Sequence, residues 1–99
     1  MADIKANVTN LRKSGNYFAN GYRPAFKINR NYISTGVIEL IDGDILKVGE
    51  SSEAYISFLT PEIYPNSMWK GKKMFFMEGT RITGQAVVEE IYNDILLKK

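Results

Sequence analysis

The sequence predicts an all-β domain with six main strands, folded as an antiparallel barrel or sandwich. Apolar residues alternate with polar ones along most of the chain, and this period of two is typical of strands with one buried face. Turn signals such as Asp42-Gly43 separate the alternating runs at short intervals, as in barrels and sandwiches. With 99 residues, of which 44% are hydrophobic and 24% charged, the chain can form one globular core.

The alternation predicts the strands in chain order and the side chains that face inwards. The predicted runs are 3–11, a short run through 26–28, 33–41, at most a short strand at 45–48, 54–58, 73–77 and 81–91. The apolar side of these runs predicts a core that contains Ile28, Ile38, Ile56, Phe58, Phe76 and Val88. The run Lys73-Met74-Phe75-Phe76-Met77 is so apolar that we expect it to be covered on both faces.

Loops and chain end are predicted from turn residues and from spacing. Two prolines open a loop over 61–71. Near the end of the chain the apolar spacing also fits a helical stripe, so we expect the last strand to stop near Ile91 and a short turn or helix to follow. We predict a single domain at 1–92, a short C-terminal tail at 93–99, and less than about 15% helix.

Residue types that commonly carry out catalysis are missing or poorly placed. The sequence has no histidine and no cysteine, the commonest general base, metal ligand and thiol nucleophile. Asp42, Asp44 and Glu53 have the spacing of a calcium loop, but the residues between them do not fit its glycine and ligand positions. Glu89 and Glu90 are neighbours on a strand and are expected on opposite faces. We therefore predict no enzyme activity, no cofactor and no metal site.

Charge and targeting signals give a weaker prediction. The formal net charge is +2, which is small for a protein that binds nucleic acid mainly through phosphates. Lys70, Lys72 and Lys73 lie within four residues and form either a small basic patch or a solvated loop. The start of the chain lacks the apolar region of a signal peptide, and no long apolar run predicts a membrane span. We expect a cytoplasmic protein without a membrane partner.

Several motifs resemble the C-terminal domain of translation elongation factor Tu, and together they cover about residues 3–91. The segment Asn20-Gly21-Tyr22-Arg23-Pro24-Ala25-Phe26 looks like the N-x-Y-R-P-x-F segment of that family. Four further segments follow in the family's order: Thr35-Gly36-Val37-Ile38-Glu39-Leu40, Val48-Gly49-Glu50, Leu59-Thr60-Pro61 and the stretch from Gly71 to Gly84. The resemblance implies a six-stranded antiparallel β-barrel, standing free of the family's GTPase and middle domains.

The resemblance also implies a surface that faces the T-stem of tRNA. Among the family's contact positions, the family residue is kept at Thr35, Glu78 and Gly79. Other positions differ, such as Ala25 in place of a glutamine and Gln85 within the family's G-A-G segment. With two nearby arginines, the candidate RNA-binding residues are Arg23, Thr35, Glu78, Gly79 and Arg81.

These observations predict a non-catalytic binding module whose partner is a protein linked to translation, so that the chain acts as a mimic, decoy, regulator or immunity-type partner. RNA or tRNA binding is the alternative. The loop that differs most from the family supplies the candidate protein-binding residues, with two positions in the last strand: Tyr64, Met68, Trp69, Arg81 and Gln85. Trp69 itself is either an exposed anchor or a plug of the barrel end. No oligomeric state is predicted.

Overall fold

The computed structural model describes residues 1–13 and 16–99, and they form an all-β fold. The strands are β1 Ile4–Asn10, β2 Phe18–Ala19, β3 Ala25–Lys27, β4 Ile33–Leu40, β5 Ile45–Leu46, β6 Ser51–Phe58, β7 Lys73–Glu78 and β8 Arg81–Ile91. Six of them close into an antiparallel barrel in the order β1-β6-β4-β3-β7-β8, and β2 and β5 form a separate two-stranded ribbon. The predicted antiparallel barrel is confirmed.

Helical structure is confined to two 3-10 turns within the described residues, Pro61–Ile63 and Asp94–Leu96. This agrees with the low helix content that the alternation predicts. In the part of the chain that the structure describes, no helix has the length and apolar character needed to cross a membrane.

The core lies inside the barrel and follows the period of two. All six side chains predicted to be core are buried: Ile28, Ile38, Ile56, Phe58, Phe76 and Val88. Phe26 lies between Phe58 and Phe76, with ring centroids 5.4 Å and 5.2 Å away. Aromatic rings at these separations fill the barrel and add about 0.5–1.5 kcal/mol per pair beyond the area they bury.

Two glycines leave room for these rings. A Cβ atom added to Gly36 would lie 2.7 Å from the ring of Phe26, and one added to Gly84 would lie 2.1 Å from the ring of Phe76. Gly84 is also constrained by the chain next to it, because the same Cβ would lie 2.7 Å from the Thr9 carbonyl oxygen. Both positions require glycine for close packing rather than for a turn.

The segment predicted as a tail packs against one end of the barrel. Backbone hydrogen bonds of 2.8 Å join Met68 N–H to the Leu96 carbonyl and Lys98 N–H to the Met68 carbonyl. Leu96 is fully buried, and the Tyr92 and Asn93 N–H groups both donate to the Asp3 carbonyl. The end of the chain and the 61–72 loop therefore close the barrel end together.

The expectation that β7 is covered on both faces is wrong. Met74 and Phe76 point into the core, but Phe75 is 39% exposed and Lys73 lies on the same outer side. An apolar run does not show by itself how many of its faces are covered. Here the ammonium group of Lys73, 5.9 Å from the Phe75 ring centroid, covers part of the outward ring.

The expectation that Glu89 and Glu90 face opposite ways is also wrong, because of a β-bulge. The pairing of β1 with β8 shifts between Lys5 and Ala6, so that Lys5 lies opposite Glu90 while Ala6 lies opposite Val88. Both carboxyls then lie near Lys5. Its Nζ is 3.7 Å from Glu90 Oε1, and the charges of Glu53, Glu90 and Glu89 raise the pKa of Lys5. A bulge inserts one residue and changes the face of those that follow.

Candidate functional site

The loop predicted to contact a partner is divided between core and surface. Tyr64 and Met68 are buried, and the Tyr64 hydroxyl donates a 3.0 Å hydrogen bond to Ser34 Oγ. The expectation that these two side chains are offered to a partner is therefore corrected, since they plug the barrel end. Trp69 is 44% exposed, so that its ring lies on the outside of the loop.

The five predicted protein-binding residues do not form one surface. Trp69 precedes β7, whereas Arg81 is paired with Glu78 at the far end of the β7–β8 hairpin. The strand between them has six residues, which spans roughly 17 Å at about 3.3 Å per residue. Gln85 lies between the two ends, opposite Phe75. Trp69 and Arg81 therefore belong to different sites.

The candidate RNA-binding residues lie on neighbouring strands, towards the hairpin end of β7. Thr35 in β4 is paired with Ala25 in β3, which is paired in turn with Met77 in β7. The predicted Glu78, Gly79 and Arg81 lie at the hairpin itself, and Arg23 is exposed just before β3. The structure therefore brings these positions to one side of the barrel. Whether each side chain is available to a ligand depends on its own contacts.

Glu78 is held by internal contacts that we call the Glu78 cluster: Arg12, Tyr22, Glu78 and Thr83. Glu78 Oε2 accepts hydrogen bonds from Arg12 (2.6 Å) and from the Tyr22 hydroxyl (2.7 Å). The Tyr22 hydroxyl is also 2.8 Å from Thr83 Oγ1. The bond from Tyr22, followed by the charge of Arg12, lowers the pKa of Glu78. The charges of Arg12 and Glu78 therefore neutralise each other, and their contact connects the β1–β2 loop to the β7–β8 hairpin.

At the other end of β7 lies an open groove of about 660 Å³, which we call the basic groove. Its polar lining comprises Lys27, Asn29, Arg30, Lys72 and Lys73, and its apolar lining includes Trp69 and Phe75. No aspartate or glutamate is among the described residues that line it. Four cationic side chains therefore share one concave surface without an acidic residue.

The pairing of β3 with β7 determines which side chains line the basic groove. Lys27 lies on the outer side of β3, next to the buried Phe26 and Ile28. Because Phe26 is paired with Phe76, the next position on each strand brings Lys27 beside Phe75 on the outer face. The groove is therefore held by paired strands, which fix its side chains more firmly than a free loop would.

Lys72 is the most buried cation of the basic groove. Its side chain belongs to a residue that is only 9% exposed, and its Nζ donates a 2.6 Å hydrogen bond to the Ser67 carbonyl. Across the described residues no carboxylate lies within 4.0 Å of it. Burial lowers the pKa of Lys72, because an ammonium group removed from water loses hydration that one carbonyl does not replace.

The Trp69 ring supports Lys72 and a second lysine. Lys72 Nζ lies 4.8 Å from the ring centroid, and Lys98 Nζ lies 5.1 Å from it. These are cation–π distances. The Trp69 ring therefore holds two ammonium groups in place, while 44% of the residue remains exposed.

No family model matches the chain, and no curated protein matches it significantly. Within residues 1–13 and 16–99, no group of three or more His, Cys, Asp or Glu side chains is arranged to hold a metal ion.

Sequence reasoning missed most of the basic groove. The cluster of Lys70, Lys72 and Lys73 was a signal, and two of these three residues line the groove. Lys27 and Arg30 are forty or more positions away from these lysines in the sequence, and only the pairing of β3 with β7 brings them near. The period of two would have placed Lys27 on an outer face, but it does not predict which strand lies alongside.

Proposed function

We propose that this chain is a non-catalytic binding module that holds a protein partner against the basic groove. The observation that carries the proposal is the composition of this one surface. It combines four cations with exposed aromatic rings, and it has no acidic lining residue among those the structure describes. Tryptophan and arginine, represented here by Trp69 and Arg30, are among the residue types that most often anchor protein interfaces.

The resemblance to the C-terminal domain of elongation factor Tu suggests the cellular process in which the chain acts. It suggests a barrel that acts in the cytoplasm as a mimic, decoy, regulator or immunity-type partner within translation. A closed barrel of six antiparallel strands is the fold that this resemblance implies.

RNA binding is the second candidate, favoured by the positive charge of the groove. Two features weigh against it. The Trp69 ring already carries two ammonium groups, so it is not a free platform for stacking a base. At the other end of β7, Glu78 is held by Arg12 and Tyr22. We expect tRNA to bind more weakly than micromolar at about 150 mM salt, measured by fluorescence anisotropy. Submicromolar binding there would favour RNA instead.

The proposal is tested by photo-crosslinking from the groove. A photoreactive residue at Lys70, which is exposed beside Trp69, is compared with one at Glu39, exposed on β4. We expect a protein to be captured from Lys70 and not from Glu39, and to be identified by mass spectrometry. The purified partner should then bind Trp69→Ala at least about tenfold more weakly, a loss typical of a central interface residue.

Two outcomes would contradict the proposal. One is equal capture from both positions, which indicates non-specific proximity. The other is a purified partner that binds wild type and Trp69→Ala with the same affinity. Glu39→Gln is the matched control, because it changes an exposed residue outside the groove and should leave affinity unchanged.

A further inference from the structure

The buried ammonium group of Lys72 is incompletely satisfied. It has three N–H donors, and one is used by the Ser67 carbonyl at 2.6 Å. Ser67 Oγ, on the same residue as that carbonyl, is also buried and has no hydrogen-bond partner in the described chain. A buried cation without a counter-charge destabilises a fold. The Lys72 ammonium group, which lines the basic groove, therefore has N–H donors left for an anionic acceptor.

The surroundings of Lys72 strengthen the demand for an anion. Lys27, Arg30 and Lys73 line the same groove, and Lys98 shares the Trp69 ring with Lys72. Like charges that are held together repel one another, and a concave wall concentrates their field. An anion placed among them would relieve this repulsion and supply the acceptor that Lys72 lacks.

We infer that the basic groove takes an acidic segment of the partner protein, with one of its Asp or Glu carboxylates seated on Lys72. This inference rests on the proposed function, because it names the chemistry of the partner at the same surface. The remaining cations accept further carboxylates, and the outward ring of Phe75, 39% exposed, accepts an apolar side chain of the same segment.

Charge and ring geometry favour an acidic peptide over a nucleic acid. The chain has 13 basic and 11 acidic residues, and four of the cations line this groove. The positive charge is therefore local, sized for a short segment rather than for a long phosphate backbone. The Trp69 ring, which already holds two ammonium groups, also favours a peptide. Proteins that bind single-stranded nucleic acids do so largely by stacking the bases on aromatic rings.

The test is a binding titration of the full chain with a short synthetic peptide rich in Asp and Glu that contains one Phe. The comparison peptide replaces every Asp and Glu by Asn and Gln. We expect the acidic peptide to bind and Lys72→Met to weaken it by about tenfold or more, as expected when a buried charge pair loses one partner. Lys70→Met, the matched control beside the groove, should change affinity by less than about twofold.

Thermal melting of the same variants separates lost binding from lost folding. Lys72→Met keeps the length and packing of the side chain and removes an uncompensated charge, so its Tm should be equal to or higher than that of wild type. A variant that binds more weakly and melts at an equal or higher temperature supports a ligand role for Lys72. Equal loss of affinity in Lys70→Met and Lys72→Met would overturn the inference.

Titrations with other ligands test whether the groove recognises something other than an acidic segment. Equal binding of the Asn/Gln peptide shows that charge is not what is recognised. Tighter binding of a single-stranded oligonucleotide, or of a phosphoserine version of the peptide, assigns the groove to phosphate and overturns the inference. If the photo-crosslinked partner binds through Trp69 without any dependence on Lys72, the acidic-segment inference fails while the protein-binding proposal stands.

Discussion

The two ends of β7 contain similar residue types in different arrangements. At the hairpin end, Arg12 lies beside a carboxylate and a tyrosine hydroxyl in the Glu78 cluster, at 2.6 Å from Glu78 Oε2. At the start of the strand, Lys72 lies beside a carbonyl and an indole ring and has no carboxylate among the described residues within 4.0 Å. One cation is neutralised by the protein itself, and the other is not.

This difference separates a structural contact from a candidate binding site. In the ion pair of Arg12 and Glu78, each charge is already compensated, so neither side chain gains much from binding a ligand. The pair instead connects two parts of the chain. A buried cation without a counter-charge lowers stability and gains most from an added anion. We therefore propose that the Glu78 cluster is a structural contact and that the basic groove is the binding surface.

The largest effect is expected where the basic groove is anchored to the core. Met68→Ala removes a fully buried side chain directly before Trp69, and such truncations cost about 2–5 kcal/mol. Urea denaturation measures the loss. A cost below about 1 kcal/mol would mean that the loop is poorly anchored and that the groove is not a rigid platform.

A smaller effect is expected for the neighbouring Trp69→Ala. The ring is 44% exposed, so that its loss should cost about 1–2 kcal/mol, well below the ~3–5 kcal/mol of a fully buried aromatic. Phe58→Ala provides that reference, since Phe58 is buried within the aromatic core. If both variants lose the same free energy of unfolding, Trp69 is a plug and not part of a binding surface.

The Glu78 cluster should contribute about 1 kcal/mol, because its charge-assisted hydrogen bonds are partly screened by solvent. Glu78→Gln is expected to lower stability by that amount near pH 7. Since contacts in the folded state lower the pKa of Glu78, the contribution is complete above its ordinary value of 4.5 and is lost as the pH falls through the lower folded-state pKa. Urea melts of wild type and variant from acid to neutral pH should converge at the acid end. A constant difference would contradict this role.

The smallest change in stability, with the opposite sign, is expected for Lys72→Met. Where Glu78→Gln removes a compensated charge and destabilises, Lys72→Met removes an uncompensated one and should leave stability unchanged or raise it. Both variants are measured by the same denaturant melt. A loss above about 1 kcal/mol in Lys72→Met would show that its charge is satisfied inside the fold, and the contrast between the two ends would disappear.

The strands and their inner faces could be predicted from the sequence because their main signal is local. Alternation places Ile38, Ile56 and Phe76 on the inner side of their own strands without any knowledge of neighbouring strands. Burial of one face and exposure of the other then follow for each strand separately. The same reasoning failed for Phe75, because an apolar residue on an outer face looks identical in sequence to one that is covered.

The candidate site could be predicted only in fragments because it depends on non-local pairing. The lysines near Trp69 are visible in the sequence, but Lys27 joins them through the register of β3 with β7. The outward position of Glu90 beside Glu89 depends on a one-residue shift against β1. Neither the register between two strands nor a bulge can be predicted from the local pattern of residues.

The central claim, that the basic groove and not the hairpin end recognises the partner, is tested most directly by NMR. The ¹⁵N-labelled protein is titrated with the short Asp- and Glu-rich peptide, and chemical-shift changes are followed at every assigned amide. We predict that the largest changes occur at the Trp69 indole N–H and at the amides of Lys72, Lys73 and Phe75. Largest changes at Arg12, Glu78 or Arg81, or no changes at either end of β7, would contradict it.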